Sequence, residues 1–236
     1  MRKLAFATGR TPGLTQVALP AFLWGMSLKK VLLAALLLPV VLLAEDKPKI
    51  TAFERSQGWR LLDASDLRGF RENKLPKNWT KNGYAFTGKA GTALVTAEEF
   101  ADFELTFDCK VAEGGHGEVF IRVSEDETAP EKSGPVVYLY GHEDQVGGNG
   151  LVAPDRKVSS RFGDWSRVKI ALFGNEVTCW INGDRVHSYL IGTPDWKKAV
   201  AASANPSVAK SANERTGRLA FTGEDIEIRN VKVRSM

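Results

Sequence analysis

The chain has 236 residues, with 32 basic and 28 acidic side chains and a formal net charge of +4. Five of those basic residues (Arg2, Lys3, Arg10, Lys29 and Lys30) lie before position 45, where there is no acid, so the remainder carries 27 basic and 28 acidic residues, a net of −1. The basic excess therefore belongs to the N-terminal segment and nucleic acid is not indicated as a partner, while the roughly 190 residues that follow suffice to bury one domain core.

Lys29 and Lys30 precede an apolar run over residues 31–43, followed by Ala44 and the charged Glu45-Asp46. A basic n-region, a short apolar core and a small residue before a polar stretch predict a secretory signal over residues 1–44, with cleavage after Ala44 and translation starting at Met1 or at Met26. The run is also shorter than the ~20 residues that span a bilayer. Secretion or delivery to a bacterial periplasm is the expected destination. Residues 45–56 read as a linker and residues 57–236 as one domain.

In that domain apolar and polar residues alternate with the period of a strand. "DFELTFDCK" puts Phe103, Leu105, Phe107 and Cys109 on one face and Glu104, Thr106 and Asp108 on the other. "EVFIRVS" sets Val119, Ile121 and Val123 against Glu118, Phe120 and Arg122, and "VVYLY" sets Val137 and Leu139 against Val136, Tyr138 and Tyr140. "SRVKIALFG", "NEVTCWI" and the closing "EDIEIRNVKVRS", with Ile226, Ile228, Val231 and Val233, continue the pattern. A type I′ turn at Asn182-Gly183 would oppose Trp180 to Arg185 and Cys179 to Val186, and place His187 at the surface. Gly-rich turns at 114–115, 147–150 and 174–175 separate the strands without intervening helices, which predicts an all-β antiparallel sandwich or jelly roll. Residues 193–217 are rich in Ala, Ser, Asn and Lys and read as a long loop, with a helical turn around 196–202. Export makes a Cys109–Cys179 disulfide possible, although both cysteines fall mid-strand, where buried thiols are common.

Several phrases, in order, resemble the 3-keto-disaccharide hydrolase domain family: "GWRLLDASDLRGFRE", "EEFADFELTFDCKVAEGG", "VFIR", "GLVAP", "GDWSRVKIALFGNEVTCWINGDRV" and "IEIRNVKVR". The resemblance covers roughly residues 57–236. It implies a concanavalin A-like β-sandwich, bacterial export and action on glycosides oxidised at C3. There a base removes the acidified C2 proton, the C1 substituent leaves, and water can add back. The resemblance raises a divalent metal acting as a Lewis acid, as an option; no nucleotide cofactor is implied. Glu104, Arg122, Trp180 and Asn182 match the family pattern. Val136 and Tyr138 stand where the family carries Glu and Gln, His116-Gly117-Glu118 replaces Asn-Ser-Gly, Cys179 replaces a His, and "AFTG" (220–223) replaces a segment that contains a His.

The candidate catalytic residues are accordingly Glu104, Arg122, Glu118 and His142, with Trp180, Tyr138 and Tyr140 as candidate sugar-stacking rings. A carboxylate near Arg122 would stay ionised and serve as base or carbonyl clamp, or else form a solvent-facing ion pair. Glu104 and Asp108 cannot be a glycosidase pair, being ~13 Å apart along one strand. His116, His142, Glu143 and Asp144 form the group closest to a metal or acid–base site, against the alternative of a solvated polar loop. Two functions follow: a hydrolase or lyase acting on 3-keto-glycosides, or a non-catalytic carbohydrate- or partner-binding sandwich with a degenerate site. Phosphate-loop, nucleophile-elbow and Cys-x-x-Cys patterns do not occur.

Overall fold

The computed structural model describes residues 50–132, 134–140, 146–151, 154–158, 162–202 and 214–236. The expected signal segment and the His142-Glu143-Asp144 loop lie outside the described residues. Glu45–Met236 forms one compact unit.

Its elements are α1 (Ala52–Ser56), β1 (Arg60–Leu61), β2 (Leu67–Gly69), β3 (Trp79–Asn82), β4 (Ala85–Gly88), β5 (Leu94–Thr96), β6 (Phe103–Val123), β7 (Val136–Tyr140), β8 (Ser166–Phe173), β9 (Glu176–Ile181), β10 (Asp184–Leu190), α2 (Pro194–Ala202) and β11 (Arg218–Ser235). All strand pairs are antiparallel. The helical turn expected at 196–202 is the larger part of α2, which buries Trp196 and Val200. Residues 52–56, read as linker, instead form α1. Its Thr51 cap accepts from the Glu54 N–H, and Glu54 takes an ion pair from Lys232 of β11 at 2.7 Å.

The framework is the pairing of the two long strands, β6 and β11, over nearly their whole lengths. Gly114 (φ +81°) and Gly115, expected as a turn between two strands, instead stand midway along the continuous β6; a Cβ on Gly115 would lie 2.5 Å from the Glu224 carbonyl, so only glycine keeps the strands paired there. On one side of this point, residues 103–109 of β6 pair with β8, and the order continues to β9 and β10. On the other side, residues 117–120 pair with β7, and the facing part of β11 pairs with β5, which pairs with β2. The two halves stack as layers: Phe107 of the first meets Phe221 of the second edge to face, with centroids 5.4 Å apart. Phe103, Leu105, Phe107 and Cys109 share one core with Val119, Ile121, Val137, Leu139, Ile170, Cys179 and Phe221, as the period-2 alternation requires.

Among the described residues the strand register shifts at five points, and three of them change which side chains face the core. Arg122 adopts φ +55°, and the β6–β11 register slips between Arg218 and Ala220, so Arg122 turns inward and Val123 joins the outer apolar cluster with Phe120. The expected inward Val123 and outward Arg122 are thus exchanged. Asn230 (φ +55°) does the same in β11, which explains the three-residue step from Ile228 to Val231. A third irregularity between Arg185 and His187 pairs Cys179 with His187 rather than Val186, while Trp180 does oppose Arg185. Val186 and His187 are both buried, so His187 is not the surface histidine the simple hairpin predicts. The turn itself is as expected, with Asn182 and Gly183 at φ +52° and +91°. Cys109 and Cys179 are free and buried; burial pushes the Cys179 thiol up to about 12 and that of Cys109 higher still.

Candidate functional site

Of the predicted catalytic residues, the three that are described, Glu104, Glu118 and Arg122, do not converge, and His142 lies outside the described residues. Glu104 projects from the outer face of the first layer, Glu118 from the outer face of the second, and Arg122 into the core between them.

Glu104 is only 8% exposed. It receives Lys169 Nζ of β8 at 2.5 Å and Arg234 Nε of β11 at 2.6 Å. Burial pushes its carboxyl up, but the two cations outweigh this and hold it below the usual carboxylate range. Trp180 lies on the same face with the Lys169 ammonium 4.9 Å above its ring. Beside them Asp108 accepts from Arg167 Nε at 3.1 Å and Asn230 Nδ2 at 2.6 Å. This face is a lattice of ion pairs in which the carboxylates lie beneath the cations.

Arg122 is 1% exposed and donates to Asn175 Oδ1 at 3.2 Å and to the Gly174 carbonyl in the β8–β9 turn. Its role is to tie the second-layer half of β6 to that turn across the core. Asn182 accepts from the Arg167 N–H at 2.8 Å and ties the β9–β10 turn to β8. The four residues that match the family pattern thus have structural partners of their own.

The outer face of the second layer is different. Glu118 of β6 and Tyr138 of β7 are cross-strand partners, and Thr222 Oγ1 of β11, opposite Glu118 on the other side, donates to the Glu118 carboxylate. Burial, and then the Glu118 charge, raise the Tyr138 phenol above its usual 10, so it is protonated at neutral pH. The 146–151 segment runs directly over this ring: a Cβ on Gly150 would come within 2.6 Å of it. Next to the polar trio lies the second apolar cluster, of Phe70, Ala93, Val95, Phe120, Val123 and Ala220, with Val136 against it. Tyr140 ends β7 opposite Gly117, and its side chain lies outside the described part of the structure.

A cavity of about 540 Å³ opens on this face. Thr222 lines it together with Phe70, Arg71, Ala93, Thr128 and Glu131. A second cavity, of about 590 Å³, shares Arg71 and Glu72 with the first and is completed by Arg68, Asn73, Lys74 and Glu125. The 69–74 turn that separates them is pinned by Glu125, which accepts from Arg68, from Arg218 Nε at 3.1 Å and from the Arg71 N–H at 2.6 Å. Arg68 chiefly, then the Arg71 N–H, hold that carboxyl at about 2 against the opposing effect of burial.

Sequence reasoning reached Glu118 and Tyr138 but missed Thr222, Phe70, Arg71 and Glu125. Thr222 alternates with the core residue Phe221, so its face was readable from the parity of β11; its neighbour Glu118, 104 positions away, was not. The charge-rich "DLRGFRENK" turn was a visible signal for the remainder. Among the described residues no three His, Cys, Asp or Glu side chains gather in a geometry that could hold a metal ion, and His116 stands in register with Glu224. His142, Glu143 and Asp144, the other members of the candidate donor group, lie outside the described residues.

Val136, Glu118 and Tyr138, which stand where the family carries other residues, all fall on this one face. Residues 58–234 match the model of the 3-keto-alpha-glucoside-1,2-lyase-like domain. A 3-keto-disaccharide hydrolase from Bacteroides thetaiotaomicron is 26% identical over 218 residues, covering 76% of this chain and 70% of its own. Two crystal structures of putative glycosyl hydrolases from Parabacteroides distasonis share the fold. One has a TM-score of 0.73 at 21% identity, covering 80% of this chain and 99% of its own. The other has a TM-score of 0.59 at 16% identity, covering 75% and 99%.

Proposed function

The chain belongs to the 3-keto-alpha-glucoside-1,2-lyase-like domain family, and from that premise we propose that its second-layer cavity binds a 3-keto-glycoside and eliminates the C1 substituent. At the level of class it is a 3-keto-disaccharide hydrolase-like, carbohydrate-active protein. The observation that carries the finer reading is that Glu118 and the protonated Tyr138 are cross-strand neighbours, with Thr222, which lines the cavity, donating to the Glu118 carboxylate.

The ketone at C3 acidifies the C2 proton, and a carboxylate oriented by a hydroxyl donor is suited to take it. Thr222 holds the Glu118 carboxylate in one orientation. As the C2–H bond breaks, its electrons form the C1–C2 double bond and the C1–O bond is released. The leaving oxygen needs a proton, and Tyr138, the cross-strand neighbour of the base, has one to give. Water adding across C1–C2 would complete a net hydrolysis. Phe70 and Ala93 offer apolar surface to the C–H faces of the ring.

A binding role without turnover is favoured by one observation: Val136 and Tyr138 replace the family's Glu and Gln on this same face. Incubation of the purified protein with a 3-keto-glycoside, with and without divalent cations, separates the two. Release of the C1 substituent, lowered by roughly 10²–10⁴-fold in Glu118→Gln, supports catalysis. Sugar binding with no release under either condition supports the binding module.

Export belongs to the proposal as well, supported by the Lys29-Lys30 pair, the apolar run and Ala44. N-terminal sequencing of protein recovered from outside the cytoplasm should begin at Glu45, and recovery only of uncleaved cytoplasmic chain would refute it.

A further inference from the structure

We infer that the second, charged cavity is a leaving-group subsite for an oxyanion: a phosphate or carboxylate carried by the C1 substituent of the keto-glycoside. The inference rests on the proposed elimination and adds the chemical class of the group expelled.

An elimination needs room for the departing group beside the reacting carbon, and the second cavity adjoins the first, with Arg71 and Glu72 lining both. Along β11, Thr222 beside Glu118 and Arg218 beside Glu125 are four residues apart, about 13 Å of strand. A ligand reaching from one cavity to the other therefore extends beyond a single sugar ring.

The charges of the second cavity are not balanced within it. Three cations, Arg68, Arg71 and Lys74, line it against two carboxylates, Glu72 and Glu125. Glu125 is already taken by Arg68 and by Arg218, a fourth cation that binds it from the β11 side. Among the described residues the Arg71 guanidinium and the Lys74 ammonium have no carboxylate within ion-pair distance. Arg71 is also placed: its N–H donates to Glu125 and its backbone is held at φ +59°. A guanidinium and an ammonium at one end of a sugar-length groove are suited to an oxyanion, the guanidinium by its two-pronged geometry.

The test compares 3-keto-glucosides that differ only in the leaving sugar: a neutral hexose, a uronic acid and a hexose phosphate. The two anionic leaving groups should raise kcat/KM at least about fivefold, mainly through KM, with the preference shrinking in high salt. In Lys74→Gln and Arg71→Gln the ratio of anionic to neutral substrate should fall toward one. The uronic acid and phosphate arms show which oxyanion is preferred. Calorimetry on Glu118→Gln protein reads the cavity without turnover, with hexose phosphate expected to bind more tightly than hexose and the difference lost when Arg71 and Lys74 are both replaced by Gln. Equal kcat/KM for neutral and anionic substrates, or a preference that survives both substitutions, overturns the inference. Failure of every substrate to react would sink the elimination instead, and the calorimetric comparison would then decide the oxyanion site by itself.

Discussion

Replacing Glu125 with Gln tests the device that holds the groove's dividing turn in place. The carboxylate receives both guanidinium nitrogens of Arg68, Nε of Arg218 and the Arg71 N–H, and these donors hold it at about 2 rather than the usual 4.5. At ~1.4 kcal/mol per unit, that difference sets a ceiling of about 3 kcal/mol for its contribution to folding. The side chain is 22% exposed and its arginines 19% and 18%, so solvent screening reduces the expected effect to about 2 kcal/mol at pH 7. Because the folded value lies below the unfolded one, the contribution is complete above about pH 5 and is lost as pH falls toward 2. Urea unfolding of wild type and Glu125→Gln, followed by tryptophan fluorescence at pH 7, 4 and 3, should give a stability gap that at pH 3 is less than half its value at pH 7. A gap that stays constant over this range, or is below about 0.5 kcal/mol at pH 7, would refute the ionic account of the hub.

Arg122→Met should cost about 3 kcal/mol or more, because the Gly174 carbonyl and Asn175 lose their buried donor; a thermal midpoint near that of wild type would contradict this. Glu104→Gln should lower the urea midpoint by disrupting the pairs with Lys169 and Arg234, yet leave keto-glycoside turnover unchanged; a selective loss of kcat would return Glu104 to the site. Burial lowers the pKa of His187 against the opposing pull of Asp155, so below about pH 6.5 the unfolded chain takes up a proton that the folded chain refuses. Stability should therefore fall between pH 7 and 5, and His187→Phe should flatten that slope. Cys109 and Cys179 should resist a thiol reagent at pH 8 in the native protein and both react in denaturant; prompt labelling of either would place it at the surface.

The strands were legible because period-2 alternation is a local property. Phe103, Leu105, Phe107 and Cys109 in β6, and Ile226 and Ile228 in β11, point where the sequence says they do. The site was legible only in part. Glu118 and Tyr138 were visible as outward-facing polar positions, but so were Glu104 and Trp180, and nothing local distinguishes the two faces. Which layer a position belongs to depends on the point, near Gly114-Gly115, at which β6 passes from β8 to β7. Arg122 shows the sharper failure. One residue in the left-handed region reverses the parity of a strand, and Arg gives no compositional warning of a bulge that Gly or Asn would have given. At Val186-His187 the same shift buried a histidine that simple alternation left outside.

By itself the sequence determined the all-β class, the alternating segments of β6 to β9 and β11, the Asn182-Gly183 turn and the family, because these depend on residue types at short spacing, whereas the short strands β2 to β5 carry too few residues to show a period. Tertiary structure alone decided that Glu118, Tyr138 and Thr222 meet, that Glu104 stands on the opposite layer, and that Arg71 and Lys74 share a cavity with Arg68 and Glu125. Those groupings join residues up to 104 positions apart, and they arise from strand pairing, bulges and the stacking of two layers, which no local pattern encodes.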